Sequence, residues 1–158
     1  MSVQNDASMM KDEMRRTKSF YAVCVASGLL WGLFVTFGLL EPQQRQYFGW
    51  GLFFAPAIGV FAGQLSARFN RAGVALMACV ALGSLYATAA LFGFTSGLMN
   101  LAVNPRGPGP FAATYSILLG LTIFGYVFWL WPMAYLNHRL VARFVDPREP
   151  PFLHLDLR

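Results

Sequence analysis

Charge is what this chain has least of. Asp, Glu, Lys and Arg make up 12% of its 158 residues, against about a quarter in an ordinary globular domain. None of them falls inside four long apolar runs, approximately 19–40, 47–66, 73–94 and 111–136. Ion and proton pathways usually depend on ionisable groups at membrane depth, and these runs contain none. Cysteine is nearly as scarce. Cys24 and Cys79 both lie within runs and form no CxxC pair, which argues against thiol–disulfide chemistry and suits two small buried hydrophobes.

Histidine is limited to His138, at the inner edge of the last run, and His154, near the C-terminus. That leaves no pair of buried axial ligands for a transmembrane haem and no cluster for zinc. The seven acidic residues lie in the two tails and one loop, where they cannot converge as a general acid and base. No Walker A loop or dinucleotide fingerprint is present. The chain is therefore expected to have no catalytic, cofactor or metal residues and not to be an enzyme.

What the chain has is length in its apolar runs. At about 1.5 Å per residue each run can cross a hydrocarbon core of about 30 Å. With no water there to satisfy backbone N–H and C=O groups, each must be a helix. The first run is too long for a signal-peptide core and lacks a small-residue cleavage pattern. The expected architecture is all-α: an integral-membrane bundle of four transmembrane helices at 19–136, preceded by a basic polar tail (1–18) and followed by a helix extension and docking tail (137–158). Met10 and Met14 share a helical face in the first tail, which suits a short interfacial helix.

The basic residues set the orientation. Ten of the twelve lie in the N-terminal tail, the link between the second and third runs, and the C-terminal tail, whereas Arg45 and Arg106 lie in the other two links. By the positive-inside bias both termini face the cytoplasm, or the matrix in an organelle, so the protein is multi-pass in a bacterial plasma membrane or an organellar inner membrane. This distribution accounts for the net charge of +5 through lipid headgroups, without nucleic acid.

Small residues recur at helical spacing. Gly28 and Gly32, Gly59 and Gly63, and the series Ala75, Cys79, Gly83 and Ala87 each line one face. In lipid such faces let helices approach closely, so these residues are expected to pack helices. Pro56 should kink the second span and leave the Leu52 carbonyl without its partner, and Pro132 should do the same to Phe128. Residues 41–46, with Pro42 ending the first helix, read as a tight hairpin. Gly93 and Gly97 should loosen the end of the third helix ahead of the irregular, proline- and glycine-rich 104–110.

In the fourth run Phe124, Phe128, Trp131 and Tyr135 fall on one stripe, a packing surface for a partner or lipid. At the C-terminus Leu153, Leu155 and Leu157 alternate with polar residues, a strand pattern that needs something to pair with. These features predict a non-catalytic accessory (scaffold) subunit or assembly factor of a larger integral-membrane complex, an energy-converting one being a natural host. Its partners would be other integral membrane subunits and lipids. The alternatives are a small homo-oligomeric transporter or channel, and a membrane immunity or inhibitor protein acting through its outer loops.

Overall fold

The computed structural model describes residues 2–69, 73–123 and 125–142, and every regular element among them is helical. Six α-helices follow in order: α1 (Ser2–Leu33), α2 (Pro42–Phe48), α3 (Ala55–Arg68), α4 (Val74–Val103), α5 (Pro110–Ile123) and α6 (Tyr126–Ala142). A π-helical stretch, Phe34–Leu39, prolongs α1, and a 3-10 stretch, Gly49–Phe54, joins α2 to α3. Three segments are long and apolar enough to cross a membrane: Met14–Leu39, Pro42–Arg68 and Val74–Val103. The fourth run is a pair, Pro110–Ile123 and Tyr126–Val141, bent by 96° at the break.

That break corrects the expectation of one continuous fourth helix. Gly125 has φ of 67°, a left-handed conformation that only glycine adopts without steric cost. Pro132, by contrast, stays inside α6. At the N-terminus α1 begins at Ser2 and runs without a break into the first span. No glycine or proline precedes Gly28, so nothing there breaks the helix.

Residues 41–46 do not form a simple hairpin either. Glu41 caps α2 in a reciprocal capping box with Gln44, and Pro42 opens the helix at its first position, where a missing N–H costs nothing. Arg45 then turns back on the end of the first span. Its Nε donates to the Leu40 carbonyl and its Nη2 to the Phe37 carbonyl, both at 3.1 Å, while the guanidinium lies over the Phe37 ring. A cation is favourable here because the last carbonyls of a helix lack intrahelical partners and carry its negative end.

Pro56 sits in the first turn of α3, and the distortion it requires is taken up by the 3-10 stretch before it. The Leu52 carbonyl is not orphaned, since the Ala55 N–H bonds to it in the tighter pattern. Gly93 and Gly97 are likewise not frayed ends: α4 continues regularly to Val103. A methyl on Gly93 would come within 2.7 Å of Thr114 Cα, and one on Gly97 within 2.7 Å of Pro110 N. These glycines let α5 lie against the C-terminal half of α4.

Two helix pairs result, α1 with α3 and α4 with α5, with α6 packed beneath them. Leu130 and Ala134 of α6 join Ala81, Leu85 and Leu121 in one buried cluster. Val141 at its far end joins Phe20, Cys24 and Ala67 in a second.

Candidate functional site

The glycines of the first two spans meet directly. A Cβ on Gly28 would lie 2.8 Å from Gly59 Cα, and one on Gly59 2.6 Å from Gly28 Cα, so there the backbones of α1 and α3 touch. A Cβ on Gly32 would come within 2.5 Å of the Ala55 Cβ, and Gly63 abuts the Cys24 thiol.

The small-residue series of α4 is placed differently. Ala75, Cys79 and Gly83 are exposed and Ala87 is half-buried; a Cβ on Gly83 would meet nothing within 4 Å. The reason is the broken fourth run. Ala75 and Gly93 are eighteen residues apart, as are Cys79 and Gly97, which is about five turns at 3.6 residues each. All four therefore lie on one face. In its C-terminal half that face is covered by α5 through Gly93 and Gly97. Beyond the bend α6 packs on another side of α4, where Trp131 Nε1 donates to the Ala78 carbonyl at 2.9 Å. The N-terminal half of the small face is left open among the described residues.

The aromatic stripe of the fourth run is divided. Phe124, like Leu153, Leu155 and Leu157, lies outside the described residues. Phe128 points outward at 76% exposure, Trp131 is bonded to α4, and Tyr135 packs against the buried cluster around Ala81 and Leu85. The exposed side of α6 instead runs through Phe128, Trp129, Met133, Leu136 and Leu140.

Between the two helix pairs lies a cavity of about 350 Å³, within the range of small-molecule pockets. Gly28, Trp31 and Ile58 line it from α1 and α3, and Ser84, Ala89 and Ile117 from α4 and α5. Glu41 and Gln44 stand at its outer mouth. Its floor is one face of α6, from Tyr126 through Leu130 and Ala134 to Asn137 and His138. Ser116 and Tyr126 line the cavity while remaining exposed, so the space also reaches the side of the bundle. No family model, curated protein or solved structure matches this chain.

At and beside the floor, polar contacts join α1, α3 and α6. Ser27 Oγ donates to Asn137 Oδ1 at 2.9 Å, and Gln64 Nε2 donates to Tyr21 Oη at 3.1 Å. Ser66 Oγ donates to the Ala62 carbonyl at 2.8 Å and is paired with His138 Nδ1. That pairing leaves Nε2 as the ring nitrogen open to a second hydrogen bond. Sequence reasoning weighed His138 only as a haem or zinc ligand and did not single out Ser27 or Asn137.

Proposed function

We propose that this chain is a four-span membrane protein with both termini on the cytoplasmic or matrix side, and that it serves as a non-catalytic accessory subunit or assembly factor of a larger membrane complex. The observation that carries this reading is the uncovered inner half of the small face of α4. In a bilayer, where apolar surface alone gives helices no reason to associate, small residues on one face allow the close backbone approach that does. α1–α3 and α4–α5 use that device inside the molecule. Ala75, Cys79 and Gly83 present the same surface with no helix on it among the described residues, in line with where α5 ends.

The orientation is supported by the cluster of Phe20, Ala67 and Val141. It gathers the start of the first span and the ends of the second and last spans at one end of the bundle. Arg15, Arg16, Lys18, Arg68 and Arg139 flank that end, whereas Arg45 and Arg106 belong to the other, the asymmetry of the positive-inside rule.

The test is native purification from the source membrane in mild detergent, with mass spectrometry of co-migrating proteins, for the natural chain and for Gly83→Leu. The reading expects a stoichiometric partner that Gly83→Leu loses while remaining folded, because the new side chain enters open space. A lone monomer stable in several detergents, or equal recovery of the partner with Gly83→Leu, would refute it.

A further inference from the structure

The cavity has a polarity pattern that a helix docked on α4 would leave unused. Its walls are chiefly aliphatic and aromatic, and no Lys or Arg lines it. At its floor the Ser27 bond occupies only the oxygen of Asn137, leaving both amide hydrogens without a partner among the described residues. His138 is 2% exposed, lines the cavity, and has no hydrogen bond on Nε2 among the described residues.

We infer that the cavity binds an uncharged, chain-bearing molecule of the bilayer, with its hydrocarbon or prenyl chain between the helix pairs and a carbonyl or hydroxyl head on Asn137 and His138. A carbonyl accepts from the Asn137 amide, and a hydroxyl can also donate to Nε2. An anionic head is disfavoured, because a buried charge needs an opposite partner and the only charged lining residue, Glu41, is acidic and at the mouth. Entry from the membrane is available along the side where Ser116 and Tyr126 are both lining and exposed. The inference stands apart from the partner reading, since it uses the interior of the bundle and not the outer face of α4.

The experiment uses the full chain. Protein purified in mild detergent is extracted with organic solvent, and the extract is identified by mass spectrometry, which separates a prenyl quinone from an acylglycerol or sterol-like lipid. Binding of decylubiquinone, dioleoylglycerol and oleate is then measured on the delipidated protein. We expect a neutral lipid retained at about one per chain in a pocket of this size, and binding of at least one neutral probe in preference to oleate. Ala89→Phe, which fills the cavity, should weaken that binding at least about tenfold. Asn137→Leu, which keeps volume but removes the donors, should weaken it with helicity unchanged. Recovery of surface phospholipid alone with no probe binding, equal binding of oleate, or neutral-probe binding unaltered in a folded Asn137→Leu would overturn the inference.

Discussion

Replacing Gly28 by alanine should loosen the first helix pair by an amount the geometry sets. The added methyl would stand 2.8 Å from Gly59 Cα and closer still to the Ala55 carbonyl oxygen. Carbon atoms in ordinary contact lie about 3.5–4.0 Å apart, so α1 and α3 must part by roughly 1 Å along this seam. The obstacle is backbone, and no side-chain rotation relieves it. Parting the helices also opens the neighbouring contacts of Gly32 with Ala55 and of Gly63 with Cys24. Overpacking of this kind costs about 1–3 kcal/mol, while alanine returns up to about 1 kcal/mol of helix propensity. The expected net loss is about 1 kcal/mol by those two figures. Gly83→Ala is the control: with nothing near its Cβ, only the propensity gain remains, so it should match the natural protein or exceed it by up to about 1 kcal/mol. Gly28→Ala with Gly59→Ala should cost less than the sum, because one displacement relieves both clashes. The assay is reversible unfolding in bicelles, by detergent titration or steric trapping. Equal resistance of Gly28→Ala and Gly83→Ala would refute the close-approach argument.

Two further substitutions probe the end of the first span. Arg45→Ala removes both side-chain bonds to the Phe37 and Leu40 carbonyls; partly exposed as they are, about 1 kcal/mol should be lost, read as a lower unfolding midpoint, and Arg45→Lys should recover only part of it because the planar fork is gone. Thr36→Val removes a 4% exposed hydroxyl whose oxygen has no partner among the described residues and keeps the shape, so stability should rise by about 1 kcal/mol; an unchanged or lower midpoint in the same titration would count against it.

The helical character of the chain was legible because hydrocarbon leaves the backbone no other choice, and the runs are uninterrupted by charge. Where those runs break was not. Phe124 and Gly125 lie inside an apolar sequence that satisfies the length rule for a span, and a single glycine does not announce a positive φ. Gly93 and Gly97 misled for a related reason: glycine in a helix weakens it unless a neighbour uses the space, and the user, α5, comes from thirteen or more residues later in sequence. Pro56 was read as a kink because the carbonyl four residues earlier loses its donor, yet a 3-10 turn supplied another from Ala55. The capping box of Glu41 and Gln44 could have been read from Glu-Pro-Gln-Gln, since proline at the first helical position begins a helix as readily as it ends one. The cavity floor was out of reach, because Ser27, Ser66, Asn137 and His138 become neighbours only when three helices are placed.

The partner reading rests on the inner half of one face of α4, and a photocross-linker there tests it most directly. With benzoylphenylalanine in place of Gly83, irradiation of intact source membranes should join the chain to a discrete second membrane protein, and the same group in place of the outward-facing Trp129 should give a different pattern. Adducts at position 83 with lipid alone would contradict the account, and adducts only with further copies of this chain would replace the accessory subunit by a homo-oligomer.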